Sequence, residues 1–270
     1  MSRMVALSLG AAALFLVGCT QLPHSVAASQ AGIGTLADVA TESDDSPQRR
    51  RARLRLELST AYLQDGQPQV ALDEVKQAIA IDASFAEAFT LRGLIYLRLN
   101  NAALAGDSFD RALLLKPRDA TAAHNLAVLR CQQGRFDEAQ RYLAQALTDV
   151  DHAAQPRNWI AQALCQASAG RPGDAEASLV HALGLDASEP TAAYHLARLL
   201  FERGEFQAAR LQMLKLNSAS APSAPSLWLG IRIERRLNNT EAVLALAEQL
   251  RVRFAQSREL SAYDRGAFNE

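Results

Sequence analysis

The chain has 270 residues with 28 basic against 29 acidic side chains, so its formal charge of -1 supplies no field that would draw it onto phosphate backbones, and a nucleic-acid role is excluded. With 49% hydrophobic residues it can bury a sizeable core, which excludes disorder throughout. Aromatic residues make up only 6%, there are 14 glycines and 9 prolines, and Ala, Leu, Gln, Glu and Arg dominate; that is the composition of an all-α chain, with no sheet expected.

Residues 1–18 read as a bacterial signal peptide: Arg3 and the amino terminus, an apolar stretch from Val5 to Val17, then Leu16-Val17-Gly18-Cys19. The small Gly18 lets a peptidase reach the bond it cleaves, and the Cys19 thiol accepts a diacylglycerol as a thioether. The apolar run is shorter than the roughly 20 residues needed to span a bilayer, which argues against a plain transmembrane anchor. Three acyl chains on one residue, at ~0.8 kcal/mol per buried CH₂, make anchoring effectively permanent. Thr20, not Asp, follows the cysteine, so the expected destination is the periplasmic face of the outer membrane.

Residues 19–50 are expected to form a lipidated tether. Gln21 to about Ser46 is rich in Ala, Ser, Gly, Thr and Asp and lacks helical periodicity. A flexible chain of about 27 residues has a mean reach of ~30 Å.

From Ala52 onward the sequence repeats itself. The marker alanines Ala71, Ala105, Ala139, Ala175, Ala209 and Ala242 stand 34, 34, 36, 34 and 33 residues apart. A period of 34 is that of the tetratricopeptide repeat, two antiparallel helices per unit, and it predicts a superhelix of six units over residues 51–257 with a tail at 258–270. A small residue in each first helix keeps the same register (Ser59, Gly93, Ala127, Ala163, Ala197, Gly230), as does a bulky one in each second helix (Val75, Phe109, Leu143, Leu179, Met213, Leu246). Between the helices comes a residue tolerant of positive φ: Gly66, Asn100, Gly134, Gly170, Gly204, and Asn238 or Asn239. Arg130 and Gln166 stand where Tyr62 and Tyr96 hold the motif's tyrosine. Extra residues near Asp151 to Pro156 predict a bend between the third and fourth units, and Ser218 to Pro225 a looser join before the sixth.

Cys131 and Cys165 fall near the ends of neighbouring first helices. In an oxidising periplasm they could be joined, or they could be two buried thiols packing as small apolar residues. The five histidines show no ligand spacing, there is no CxxC, phosphate loop or GxSxG elbow, and no enzyme activity, metal, cofactor or small-molecule substrate is expected.

In such a superhelix the first helices line the concave face. Its expected lining is Leu56 and Leu63 from the first unit, Leu94, Leu97 and Arg98 from the second, and Val128 from the third. The fourth contributes Ile160 and Leu164, the fifth Tyr194, Arg198 and Phe201, and the sixth Leu227 and Ile231. An apolar lining with arginines interspersed suits an amphipathic or extended segment of a partner. Some of these side chains could instead pack within the superhelix or beneath a capping segment such as Leu250 to Phe268.

Three segments carry a further likeness. His124-Asn125-Leu126-Ala127-Val128-Leu129-Arg130-Cys131-Gln132-Gln133-Gly134-Arg135-Phe136 is similar to an NNYGxFLCxQGRY stretch, Ala163-Leu164-Cys165 to GLC, and Ser226-Leu227-Trp228-Leu229-Gly230-Ile231-Arg232 to SLxLGIR. On these, the chain resembles the type IV pilus biogenesis lipoproteins PilW and PilF, the pilotins of the pilus secretin. His124, Leu126 and Arg130 depart from the pattern. The resemblance implies a disulfide at Cys131 and Cys165, secretin (PilQ-like) subunits as partner, and a lipid anchor in the outer membrane. A repeat lipoprotein of outer-membrane barrel assembly or cell-wall machinery is the alternative.

Overall fold

The computed structural model describes residues 45–219 and 221–268. Residues 1–44, with Cys19 and most of the expected tether, lie outside the described residues. Among the described residues every regular element is a helix. None is long and apolar enough to cross a membrane.

Six helix pairs follow one another. They are α1 (Pro47–Gln64) with α2 (Pro68–Ile81), α3 (Ala86–Arg98) with α4 (Ala102–Leu115), and α5 (Ala120–Gln132) with α6 (Phe136–Ala146). Then come α8 (Pro156–Ser168) with α9 (Pro172–Leu185), α10 (Pro190–Glu202) with α11 (Phe206–Ala219), and α12 (Ala224–Arg236) with α13 (Thr240–Arg253). A single turn, α7 (Val150–Ala153), is inserted before the fourth pair, and α14 (Arg258–Asp264) ends the chain. Within a pair the two helices pack along their length, each second helix packs on the next first helix, and successive first helices touch from α1 through α12.

The repeat positions explain why the stack closes. Ala71, Ala105, Ala139, Ala175 and Ala209 are fully buried, and Val75, Phe109, Leu143, Leu179 and Met213, one turn further along the same helices, fill the space against the first helices. Gly93 has to be glycine: a Cβ there would stand 2.4 Å from the Phe109 ring. Ser59, at the same register position, donates from its hydroxyl to the Ala71 carbonyl (2.7 Å) and so satisfies its own burial. Each pair turns on a left-handed residue, from Gly66 (φ +74°) through Asn100 (φ +57°) to Gly204 (φ +88°). In the sixth unit this is Asn238; Asn239 instead caps α13, accepting from the Ala242 amide. The two motif departures make polar contacts within their own units' helix pairs or with the preceding one. Arg130 pairs with Asp110 (3.0 Å) and Glu138 (3.7 Å), and Gln166 accepts from Ser178 (2.8 Å).

Three boundaries differ from the sequence expectation. Residues 47–50, assigned to the tether, form the first turn of α1, because Ser46 caps the Arg49 amide and Pro47 is preset at the first helical position. The bend near Asp151 is helical: Asp149 caps α7, and α8 pins it with Asn158 donating to the His152 carbonyl (2.6 Å) and Trp159 donating to that of Ala153 (2.7 Å). The tail at 258–270 is largely a capped helix, since Ser257 holds the Leu260 amide 34 residues after Ser223 holds that of Ser226. α14 packs on α12 and α13 as the first helix of a seventh unit would, and its Leu260, with Tyr263 and Phe268, closes the end of the core.

Candidate protein-binding face

The strip made by adjacent first helices carries separate depressions. One, about 470 Å³, lies across the first three units. Leu56, Leu91 and Leu94 form its apolar part, Thr60, Thr90 and Thr121 add hydroxyls, and Asp149 and His152 of the α7 segment wall one side. Its rim is charged. Lys116 reaches Glu87 (3.1 Å), which raises the lysine's pKa; burial would lift that of Glu87, but its own backbone amide and Lys116 outweigh this and hold it down, so both stay ionised. Asp119 is committed to capping α5.

A second depression, about 250 Å³, opens between the third and fourth units, where Val128 and Leu164 flank Cys131 and Cys165. The cysteines are bonded to each other, with Cα atoms 5.7 Å apart, and the bond ties α5 to α8 at the junction that α7 interrupts. A third, about 350 Å³, has Tyr194 beside Pro190, Thr191 and Leu216 at the join before the sixth unit.

The remaining expected lining is scattered. Leu63 leans into the first unit's core and Leu97 into the core around Phe109, both half-buried, while Arg98 is exposed. Arg198 lies 3.7 Å from Glu202, and Phe201 stacks under the Arg232 guanidinium, 4.8 Å from its ring centre. Ile160, Leu227 and Ile231 are not groove residues. Ile160 is buried in the core of the fourth and fifth units, and Leu227 and Ile231, 1% and 0% exposed, lie in the core that α14 closes. The repeat register assigns position only; the covering segment comes from elsewhere in the chain.

Two histidines on first helices have pKa values pushed down to about 4. Burial is the main cause for both, with the nearby His152 and Arg157 adding to it at His124, and Arg198 at His195. The His124 and His152 rings meet edge to face at 5.7 Å. Among the described residues no group of three or more His, Cys, Asp or Glu side chains could hold a metal ion.

Sequence reasoning missed the α7 wall and the role of Arg232, which stacks on Phe201 and donates to the Phe268 carbonyl (3.0 Å). The spacing of 36 signalled an insertion without saying where its side chains point. For α14 the usable signal was Ser257, one period after Ser223.

The helix pairs, the left-handed turns and the small-on-large packing decide the family. The chain is a tetratricopeptide-repeat protein. The tetratricopeptide-repeat profile matches residues 56–123 and 166–225, and a second profile of the same description matches 120–149. The chain is homologous to the type IV pilus assembly protein PilF of Pseudomonas aeruginosa, 24% identical over 208 residues covering 77% of this chain and 82% of PilF. The solved structure of P. aeruginosa PilF superposes with a TM-score of 0.72 at 25% identity, covering 81% of this chain and 99% of that one. That of PilW, described as a widely conserved type IV pilus biogenesis factor, gives 0.74 at 27%, covering 79% and 98%. MamA from Desulfovibrio magneticus, at 18% identity and 0.57, shares the fold.

Proposed function

We propose that this repeat protein is a pilotin: a lipoprotein, acylated on Cys19, that binds subunits of the type IV pilus secretin and helps them assemble in the outer membrane. The observation that carries the reading is likeness along nearly the whole length of PilF and PilW, proteins of pilus assembly and biogenesis. Supporting it are the lipobox ending at Cys19 and the depressions along the first helices, where apolar side chains lie beside a charged rim in the first and beside uncharged polar groups in the other two, and suit a peptide segment. The task asks for a scaffold and no bond-making: confining a secretin subunit beside the membrane raises its effective concentration there. Leu56 and Leu94 in the first depression and Tyr194 in the third are the proposed anchors for the partner.

The test compares secretin multimers in outer-membrane fractions from cells carrying the wild-type chain, Cys19→Ala, or Leu56→Asp with Leu94→Asp. Both variants are expected to lower the multimer yield, the first by mislocalisation, the second with anchoring intact and circular dichroism unchanged. Normal multimers and twitching in both would refute the proposal.

A further inference from the structure

The two ends of the repeat stack are finished differently. At the far end α14 covers the last pair. At the near end no helix precedes α1 among the described residues, and its sequence departs from the repeat where a neighbour would sit. One register position is buried in each later first helix: Ala88, Ala122, Asn158, Ala192 and Ser226 are each at most 4% exposed. In the first unit that register holds Leu54, which is 65% exposed, with Leu58 one turn on, also exposed.

Charge gathers on the same helix. α1 carries Arg49, Arg50, Arg51, Arg53 and Arg55 against Glu57 alone, in a chain whose total is -1. Three of the five are held by Asp82, Asp45 and Glu74. Arg50 is exposed, its guanidinium donating to the Asp45 carbonyl, and Arg51 is exposed in the register of the buried Phe85; neither has an acidic side-chain partner among the described residues. Positions 50, 51, 54, 58 and 61 share one face at helical spacing, so two guanidiniums with no acidic side-chain partner among the described residues border two exposed leucines. Such a face matches the phosphate and acyl boundary of a bilayer.

Which surface covers it follows from where the chain comes from. The segment that precedes the described residues enters at Asp45, directly before α1, and contains Cys19. This step rests on the lipoprotein reading: an anchor at Cys19 makes α1 the folded element nearest the membrane along the chain. We propose that the Arg50, Arg51, Leu54 and Leu58 face of α1 docks on an anionic phospholipid surface, so that the repeat domain sits on the membrane by its first helix with its first-helix strip held in a set orientation. The guanidiniums donate to lipid phosphates and the leucines enter the headgroup boundary.

The test uses the acylated full chain with Glu57→Cys, an exposed site on α1. With Cys19 acylated and Cys131 bonded to Cys165, it is the one free thiol and takes an NBD fluorophore. The protein is reconstituted into vesicles of phosphatidylcholine alone or mixed with phosphatidylglycerol. Docking predicts a blue-shifted emission, quenched by nitroxide-labelled acyl chains, in the anionic vesicles. At ~1 kcal/mol per arginine, Arg50→Ala with Arg51→Ala should weaken the docking equilibrium about 30-fold, and Leu54→Ser with Leu58→Ser should also abolish quenching. Equal emission in both lipids would mean that the chain's own leading segment covers the face. A signal that scales with protein density would mean a second copy does. Either result, or no shift, overturns the proposal. Acylation is read separately by mass: an unacylated chain refutes the anchoring reading alone, because a Cys19→Ala, Glu57→Cys chain, labelled at its one free thiol, can then be titrated with vesicles from solution.

Discussion

Reducing the Cys131–Cys165 bond tests how the junction between the third and fourth units is held. The bond spans a sequence separation of 34 and joins α5 to α8, the two first helices whose neighbouring second helix, α6, is shorter than the others and is followed by α7. On the chain-entropy account, closing a loop of about 35 residues removes roughly 4 kcal/mol of freedom from the unfolded chain, a model-dependent figure. In a stack of repeats that stabilisation belongs mainly to the units inside the loop, because each unit contacts only its neighbours. Urea unfolding followed by circular dichroism should therefore show the reduced protein, or Cys131→Ser with Cys165→Ser, melting at lower urea and over a broader range. At a slope of ~2 kcal/mol per M, 4 kcal/mol corresponds to a midpoint about 2 M lower. Hydrogen exchange should place the early opening in α5 to α8, with α1 to α4 still protected. An unchanged midpoint, or uniform loss of protection along the stack, would refute this assignment.

Other consequences are open to direct measurement. His124 and His195 are held neutral to about pH 4 in the fold, whereas an unfolded histidine protonates near 6.5. The unfolded state therefore binds more protons between those values: stability is full above about pH 6.5 and falls as pH drops toward 4. The fall is at most about 3 kcal/mol for His124 before solvent screening, and less for the more open His195. Chemical denaturation from pH 7.5 to 4.5 should show this slope, reduced in His124→Gln; a flat profile would refute it. Gly93→Val should cost at least 2 kcal/mol, as its Cβ collides with the buried Phe109 ring; a melting temperature unchanged from wild type would contradict the close approach. Ending the chain after Gln256 removes Leu260, Tyr263 and Phe268 from the last core, so Trp228, Leu227 and Ile231 should become solvent-accessible. A red-shifted tryptophan emission and new dye binding are expected, and their absence would rule out a capping role for α14.

The fold was legible because a tetratricopeptide unit is specified locally. Small residues at 34-residue spacing, the bulky residue opposite and the left-handed turn residue are contacts within one hairpin and with its neighbour, and short-range periodicity encodes them. What one unit does to a distant side chain was not legible. Leu227 and Ile231 sit at groove positions by register, and it took α14, a partial seventh unit, to bury them; Ile160 lost its place in the same way, to the core between two units. The two cysteines were visible at the ends of neighbouring helices, while their 5.7 Å Cα separation depends on how α5 and α8 pack across the junction. The sequence by itself determined the helix pairs and their order, since these follow from hydrogen bonds and packing a few residues apart. Only the tertiary structure decided which first-helix residues remain open to a partner, because exposure depends on segments that come from elsewhere in the chain.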